Sequence, residues 1–258
     1  MADRSETGET IPTNLRLLMV LEEIARVGVP VTPTTINQQL GLPKPTIHRL
    51  FSTLEAEGFL QREIDGRSYT PGRRLRDLSM GVLTSLRVRT ARLAVLDALA
   101  EEIGETCNIS VPERDSMVYI DRVETKWPLR IQLPVGTHVP FYCTASGKMY
   151  LASLNPAHFE RYARSARLDR RTGHTITDPD KLLAEVDKTR ERGFSQDDEE
   201  FMEGMIALAV PIRDVHDRLL STLSFHAPTQ RLKLADAYTY LDKMHEAAAE
   251  LSRLIIEE

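Results

Sequence analysis

The residues with the clearest potential for chemistry lie between 44 and 52, in the stretch KPTIHRLFS. Short hydroxyls, an imidazole and a guanidinium at the start of a helix can bind phosphate oxygens and base edges in the major groove of DNA. Pro43 and Pro45 would fix the entry to this helix at no cost, because first-turn N–H groups have no partner within a helix. The candidate DNA-contacting residues are Lys44, Pro45, Thr46, His48, Arg49 and Ser52.

A helix that presents these side chains needs an apolar face behind it. The i, i+3, i+4, i+7 spacing of such a face is present, and Gly58 would end the helix. Its members are Ile47, Leu50, Phe51 and Leu54. Upstream, Thr32 followed by Pro33 is typical of a cap and a first helical position, and that helix would stop at Gly41. Two short helices joined by a glycine-containing turn predict a helix-turn-helix.

Two further elements would complete this domain. An apolar repeat predicts a first helix, with Thr13 or Asn14 as its cap and Gly28 as its end. After the third helix, FLQREIDGRSYTPG predicts two strands joined by a turn at Asp65-Gly66, which is a β-hairpin wing. The wing residues available to the DNA backbone would be Arg62, Arg67 and Tyr69.

The charge distribution agrees with a DNA-binding N-terminal part. The 258-residue chain has a net charge of −5, yet residues 1–89 contain 12 Lys and Arg against 10 Asp and Glu. The remaining residues contain 21 against 28. A locally basic segment on an acidic chain indicates one face for a polyanion. The plainer alternative is a small helical domain whose basic face arose by chance.

Composition limits the class of protein. No apolar run approaches the roughly 18 residues that a membrane span requires. The first residues are polar and of mixed charge, so we expect a disordered lead-in over 1–12 and not a signal peptide. Two cysteines, Cys107 and Cys143, give neither a disulfide framework nor a zinc signature, so the cytoplasm is the expected compartment.

The second half of the chain mixes strands and helices. A stripe made of Leu75, Leu78, Val82 and Leu86 predicts a linker helix, and a second copy of the chain is the simplest partner for it. Beyond a further helix in RLAVLDALAEEIGE, the segments CNISV, SMVYIDRVE, LRIQLPVG, ALAVPI and LLSTLSFHA are predicted strands. Helices are predicted in GKMYLASL, in DKLLAEVDKTRERG and from about 235 to 256. This order predicts an α+β domain with an antiparallel sheet flanked by helices.

Two other kinds of site deserve comparison. An enzyme would need a nucleophile, a base and an orienting group, which Cys143, His226 and either Asp197 or Asp198 could supply. A metal site could use Cys143, His138 and His226. These residues belong to no nucleophile motif and lack the HxxxH or CxxC ligand spacing, so we expect no catalytic residue, no metal and no cofactor.

Four blocks of the sequence together resemble the IclR family of bacterial transcriptional regulators, from about residue 13 to the end. The blocks are GLPKPTIHRLFSTLEAEGFL, YTPGRRL, PVGTHVPFYCTASGKMYLAS and RGFSQDDEEFMEGMIALAVPIRD. The A-S-G-K and D-E-E-x-x-x-G-x-x-x-x-A-x-P-I patterns in them are specific to the GAF-like effector domain of that family. The resemblance implies a winged helix-turn-helix, a linker helix, a small-molecule-sensing domain, and dimers that often pair into tetramers.

The resemblance also implies where an effector binds. The acid matching Asp197 lies at the effector pocket of IclR-like sensors, and relatives have a pocket residue at the position of His226. For the acidic run at 197–200, the alternative is the first turn of a helix. The segment from Val139 to Ser146 would close the pocket and offer backbone N–H groups to a carboxylate. The predicted effector-binding residues are Ile131, Val139, Cys143, Ala145, Ser146, Asp197, Met205, Ala207, Ser224 and His226.

Two of these positions depart from the family pattern. Ala207 and His226 stand where some acid-sensing relatives have a cysteine and a serine. A histidine that can be cationic favours an anionic or hydroxylated ligand, and Tyr142 or Tyr119 could stack on a ring. We therefore expect a carboxylate larger than glyoxylate. Trp127 is expected to be structural or to lie at a subunit contact.

The sequence thus predicts a ligand-responsive bacterial DNA-binding regulator that acts as a homodimer or as a pair of dimers, with a small organic acid as its effector. The expected domains are a winged helix-turn-helix over 13–72, a linker helix over 73–90 and an effector-binding domain over 91–258. The alternative is a sensor or enzyme domain whose helix-turn-helix makes only protein contacts.

Overall fold

The computed structural model describes residues 11–83, 86–128 and 131–256. Its contacts divide the chain into two compact units, Met1–Thr84 and Ser85–Glu258. Each unit has a hydrophobic core of its own. The expected boundary between linker and effector domain, after residue 90, falls within one continuous helix, Leu86–Ile103.

The N-terminal unit has three helices, then a two-stranded antiparallel hairpin, then a fourth helix. Its elements are α1 (Arg16–Val27), α2 (Pro33–Leu40), α3 (Lys44–Ala56), β1 (Leu60–Arg62), β2 (Tyr69–Pro71) and α4 (Arg73–Leu83). The predicted helix-turn-helix and wing are confirmed. The predicted cap of α1 is wrong, because Leu15 holds the cap position and makes no side-chain cap bond.

The turn between α2 and α3 is held by side chains as well as by its glycine. Thr32 caps α2 as predicted, accepting a hydrogen bond from the Thr35 N–H at 3.2 Å. At the other end, Asn37 bonds both backbone groups of Leu42, at 2.8 and 2.9 Å. Gly41 has a φ of 61°, a conformation that favours glycine. The relative placement of α2 and α3 is therefore fixed by the turn itself.

The apolar face of α3 lies in the core of this unit. Its four predicted positions are all buried. Tyr69 of the wing is also part of this core: only 5 % of it is exposed, and its ring lies 5.1 Å from that of Phe51. The prediction that Tyr69 is available to the DNA backbone is therefore wrong, because an aromatic ring on the inner face of a short hairpin packs on the helix beneath it.

The second unit is a six-stranded antiparallel sheet with helices on both faces. Its elements are α5 (Leu86–Ile103), β3 (Thr106–Glu113), β4 (Ser116–Val123), β5 (His138–Pro140), α6 (Ala145–Ser153), α7 (Pro156–Ser165), α8 (Pro179–Arg192), β6 (Ser195–Asp198), β7 (Met205–Arg213), β8 (Leu219–Pro228), α9 (Leu234–Ala237), a 3-10 turn (Tyr238–Tyr240) and α10 (Leu241–Ile256). The strand order is β5-β4-β3-β8-β7-β6, so β8 is paired on both edges. The predicted α+β class is confirmed.

The two faces of the sheet are covered by different helices. Phe225 points toward the C-terminal helical segment, where its ring lies 6.0 Å from that of Tyr240. On the opposite face, Ala207 and Ala209 of β7 pack against Ala145 and Met149 of α6. Because side chains alternate along a strand, this assigns the residues of the central strands to one face or the other, apart from the register shifts at 109–110 and 212–213.

Several predicted elements of this unit differ from the structure. Residues 131–137 form no strand, because a turn closes from the Thr137 N–H to the Pro134 carbonyl at 3.0 Å and Gly136 has a φ of 88°. Asp197 and Asp198 lie on β6, so the alternative that they begin a helix is wrong. The helix α7 was not predicted, although Asn155 before Pro156 is a normal start signal, and its side chain does cap the helix.

The single tryptophan of the chain lies shortly after the end of β4. Trp127 is 53 % exposed, and the Arg231 guanidinium lies 5.4 Å from the centre of its ring. Arg231 is also ion-paired with Glu105. The indole is therefore fixed at the surface of the unit and is not part of its core.

Candidate functional site

The helix α3 presents its polar face to solvent. Lys44, His48 and Arg49 are exposed, and so are Pro45 and Ser52, while Thr46 is half-buried. The Thr46 N–H donates to the carbonyl of Pro43, the cap residue, at 2.8 Å. The six side chains predicted to contact DNA therefore lie on the first nine residues of one helix, about two and a half turns, on the side away from the core.

The wing arginines differ in what they contact. Arg62 makes two hydrogen bonds to the carboxylate of Glu55 on α3, at 2.9 and 2.6 Å, and its guanidinium lies 4.7 Å from the centre of the Tyr69 ring. The bonds to Glu55 raise the pKa of Arg62. Arg67 is exposed at the tip of the wing. Arg62 thus ties the wing to α3 through a solvent-exposed ion pair with Glu55.

The tip of the wing is a rigid turn. Asp65 accepts hydrogen bonds from the backbone N–H groups of Arg67 and Ser68, both at 2.8 Å, and from the Ser68 hydroxyl at 2.6 Å. These bonds lower the pKa of Asp65 to about 2, so the carboxylate remains ionised and keeps the turn closed.

A second group of polar side chains lies on the face of the large sheet that α6 covers. The register places His226 opposite both Thr106 and Ala207, and Ala207 opposite Asp197. In the next row, Ser224 lies opposite Asn108 and Ala209, and Asn108 opposite Arg122. The sheet therefore brings together four of the predicted effector-binding residues: Asp197, Ala207, Ser224 and His226.

Two residues on this face were missed by sequence reasoning. Arg122 has 3 % of its side chain exposed and donates from Nη1 to the Asn108 Oδ1 atom at 2.9 Å. Asn108 Nδ2 in turn lies 3.3 Å from His226 Nδ1. The missed signal was the period-two alternation of β3, in which Asn108 and Ser110 interrupt an apolar strand at every second position.

The prediction that His226 can be cationic is wrong. The residue is 4 % exposed, and burial, followed by the charge of Arg122, lowers the pKa of His226 to about 3. Hydrogen bonding with the nearby Ile131 backbone acts on the pKa in the opposite direction, and Nε2 is a buried atom without a hydrogen-bond partner. His226 is therefore a neutral, buried imidazole with one unused nitrogen.

A buried cluster of charges lies at the β6 end of the same face. Lys148 of α6 is fully buried and is ion-paired with Glu200. Asp197 Oδ1 accepts hydrogen bonds from the Glu200 and Phe201 N–H groups at 2.7 and 3.2 Å, while Oδ2 has no partner. Burial raises the pKa of Asp197 to about 7, against the opposing charge of Lys148. This carboxyl group changes its charge near neutral pH.

The other six predicted effector-binding residues lie in several different places in this unit. Ala145 packs directly on β7, and Ser146 is buried beside it in the first turn of α6. Val139 and Cys143 lie in a neighbouring apolar cluster, fully buried. The other two are Met205, which is buried on β7, and Ile131, which is half-buried outside any strand.

The structure does not support the enzyme or metal alternatives. Burial raises the pKa of the Cys143 thiol to about 12, so it is not a thiolate nucleophile at neutral pH. His138 has 57 % of its side chain exposed on β5, three strands away from His226 on β8. Within the residues that the structure describes, no three His, Cys, Asp or Glu side chains are grouped as metal ligands.

Comparison with known proteins assigns both units. The family model for the IclR helix-turn-helix domain matches residues 15–63. The model described as "Bacterial transcriptional regulator IclR C-terminal" matches residues 80–253. The chain belongs to the IclR family. It is therefore a DNA-binding transcriptional regulator, and the families and relatives that it matches are regulators and not enzymes.

Individual relatives in the IclR family support this assignment. A protein of Cupriavidus necator named "Probable transcriptional regulator SauR" is 36 % identical over 94 % of this chain and 96 % of its own. The crystal structure of Thermotoga maritima IclR is 28 % identical, with a TM-score of 0.62, over 93 % of this chain and 97 % of that one. An IclR homologue from Microbacterium hydrocarbonoxydans, complexed with 4-hydroxybenzoate, is 23 % identical over 93 % and 98 %, with a TM-score of 0.61, and shares the fold.

The alternative that the helix-turn-helix makes only protein contacts is not supported by these matches, because both units belong to DNA-binding regulators. Among the described helices, none is long and apolar enough to cross a membrane.

The raised pKa of Asp197 predicts a pH-dependent stability. The folded protein keeps this proton up to about pH 7, whereas an ordinary aspartate loses it near pH 4. The contribution of Asp197 to stability is therefore greatest below about pH 4, falls as the pH rises to about 7, and is then constant. Asp197→Asn, which cannot ionise, should raise the melting temperature more at about pH 8 than at about pH 5.

Asp198→Asn is the matched control for this measurement, because Asp198 is the exposed neighbour on the same strand. Thermal unfolding of the full chain at both pH values checks the prediction. An equal shift for Asp197→Asn at the two pH values would contradict it.

Proposed function

We propose that this IclR-family regulator changes its affinity for DNA when a small organic acid binds to the α6-covered face of the large sheet. The supporting observation is that three buried polar atoms on this side of the sheet have no partner, namely His226 Nε2, Asp197 Oδ2 and Glu200 Oε2. Buried polar atoms are nearly always hydrogen-bonded, so unpartnered acceptors and a ring nitrogen on one side of the sheet support a site that a ligand completes. We also infer that the protein acts in the cytoplasm, where bacterial DNA lies.

The spacing of these atoms supports a ligand larger than glyoxylate. His226 lies on β8 and Asp197 on β6, so two strand spacings, about 10 Å, separate their backbones. A carboxylate near His226 would lie in the positive field of Arg122, and a hydroxyl group could bond Asp197 at the other end. Tyr119 faces the same side of the sheet, since it pairs with Ser110, and could stack on a ring. A hydroxylated aromatic acid such as 4-hydroxybenzoate fits this pattern and is a suitable probe.

On the DNA side, we infer that α3 enters the major groove and that the wing contacts the backbone. Arg49 and Thr46 would contact DNA directly, with Lys44, His48 and Ser52 close by. In the wing, exposed Arg67 is the phosphate contact, because Arg62 is engaged by Glu55.

We further propose that the regulator is a homodimer, able to pair into a tetramer, that reads a palindromic site. Leu78 and Val82 on α4 support this, because they are 56 % and 62 % exposed and share one face of the helix. Leu75 is half-buried, and the side chain of Leu86 lies outside the described residues. In this view α4 belongs to the linker that spaces the two winged domains, with the winged domain over 13–72, the linker over 73–90 and the effector domain over 91–258.

The DNA-contact proposal is tested on a site selected from a random-sequence DNA pool. Arg49→Ala should weaken binding by about 1–3 kcal/mol and relax the preference at one base position, since it removes a base contact. Arg67→Ala should weaken binding to all sequences about equally. It should also reduce the slope of log K against log salt concentration by about one, since one phosphate contact is lost. If neither Arg49→Ala nor Thr46→Ala alters affinity or sequence preference, α3 is not the recognition helix.

The dimer proposal is tested by sedimentation. Changing Leu78 and Val82 together to Glu should give a monomer that no longer binds the selected site, because two buried charges would replace the apolar contact. Val215→Glu is the matched control, because Val215 is 70 % exposed in the loop between β7 and β8. A wild-type monomer at micromolar concentration would refute the dimer.

The effector site is tested by calorimetry with glyoxylate, pyruvate, benzoate and 4-hydroxybenzoate. His226→Ala and Ser146→Tyr should each weaken, by about tenfold or more, the binding of whichever acid the wild type binds, the first by removing a polar partner and the second by filling space beside α6. His138→Ala, which changes an exposed histidine, is the control. Wild-type affinity in both pocket variants would place the site elsewhere.

A further inference from the structure

The hydrogen bonds that begin at Arg122 determine the orientation of the Asn108 amide. A guanidinium only donates hydrogen bonds, so the Asn108 atom that it meets at 2.9 Å must be the carbonyl oxygen. The NH₂ group of Asn108 therefore faces His226, where it lies 3.3 Å from Nδ1. The amide cannot be turned around without setting two donors against each other.

The same logic fixes the proton on His226. Because Asn108 donates, His226 Nδ1 must accept, and it cannot also hold a proton. A cationic imidazole would place one donor against another, which agrees with the lowered pKa of His226. The ring is therefore neutral, and its one proton is on Nε2, the buried atom without a partner.

We infer that Arg122 and Asn108 are positioning residues that hold His226 in its Nε2–H form, so that it donates a hydrogen bond to an acceptor atom of the effector. This inference rests on the proposed function for the choice of site. Three of the five N–H donors of Arg122 bind Glu124, Asn108 and the Ile131 carbonyl, so the guanidinium is held in place and supplies positive potential at this end of the site.

This arrangement restricts the chemistry of the ligand at this end of the site. A serine hydroxyl can either donate or accept, but an Nε2–H group that is locked in place can only donate. A carboxylate or another acceptor satisfies it, and Arg122 favours the anion. An ammonium group at the same place has no acceptor lone pair, so it would leave two donors facing each other and is rejected.

The protonation state can be measured in the full chain without any ligand. Long-range ¹H–¹⁵N spectra of histidine-labelled protein distinguish the two neutral forms and the cation, and His226→Gln identifies the signals of His226 among the seven histidines. At neutral pH the wild type should show a proton on Nε2 and none on Nδ1. A wild type with Nδ1 protonated would overturn the inference.

Asn108→Asp tests whether Asn108 sets this state. An aspartate at this position still accepts from Arg122 but can only accept from His226, so Nδ1 should become protonated. Ser110→Ala is the matched control, because Ser110 lies on β3 with Asn108. This change removes the 2.8 Å contact between the hydroxyls of Ser110 and Thr222 and should leave the His226 proton on Nε2. An unchanged His226 in Asn108→Asp would overturn the role of Asn108.

The ligand half of the inference is tested with pyruvate, benzoate, 4-hydroxybenzoate and benzylamine. A carboxylate that binds should shift the Nε2 and attached-proton signals, whereas benzylamine should not bind. His226→Leu should weaken binding about tenfold or more, and His226→Gln, which keeps an N–H donor, should recover part of the loss. A bound carboxylate that leaves Nε2 unshifted, or equal binding of benzylamine, would overturn the donor role while leaving the effector site in place.

If none of the three carboxylates binds, the acid class proposed for the effector fails, and the donor role fails with it. The state of His226 in the free protein is decided separately, so the failure of the proposed function and the failure of the locked form are distinguishable.

Discussion

The register of β8 is the constraint on which the second unit depends, because this strand is paired on both edges. With Phe225 opposite Cys107 and Leu208, three fully buried side chains face the helices α5 and α10. Burying side chains of this size stabilises the fold by roughly 1.5–3 kcal/mol for each large one. A slip of one residue would turn Phe225 toward α6 and His226 toward α10. The apolar face of the sheet therefore fixes the position of every polar group on the other face.

Buried charges on the two faces have different partners. Arg92 of α5 and Asp121 of β4 are 1 % and 0 % exposed, and Arg92 Nε is bonded to the carboxylate at 2.7 Å, which ties helix and sheet together although the two terminal nitrogens of Arg92 have no partner. On the α6 side, the pair of Lys148 and Glu200 is also buried, but Glu200 Oε2 and one oxygen of the neighbouring Asp197 have no partner. A pair that is bonded within the protein serves the fold, since removing one partner strands the other charge. A carboxyl group that is only half satisfied is a cost that a ligand can remove.

The sequence predicted the elements that depend on local signals and missed those that depend on pairing. The apolar repeat of α3 and the Thr32 cap are short-range patterns, and they gave the helix-turn-helix. Tyr69 was misassigned because a tyrosine is compatible with either face of a hairpin, and strands of only three residues are too short to show an alternating pattern. Arg122 was missed because its partners become neighbours only in the folded unit: Asn108 is 14 positions away on the paired strand β3, and the Ile131 carbonyl is 9 positions away on a segment outside any strand. His226 was placed at the site, but its charge was wrong, since burial cannot be read from its neighbours in the chain.

The exposed indole beside Arg231 has a consequence for how the protein can be observed. Because the chain has one tryptophan, fluorescence excited through indole absorption comes from a single known point. In the sequence, Trp127 lies between β4 and Ile131. Arg122, near the end of β4, donates a hydrogen bond to the Ile131 carbonyl. The molecule therefore contains its own optical reporter next to the segment that leads from the sheet to Val139, and changes there can be followed in the unlabelled protein.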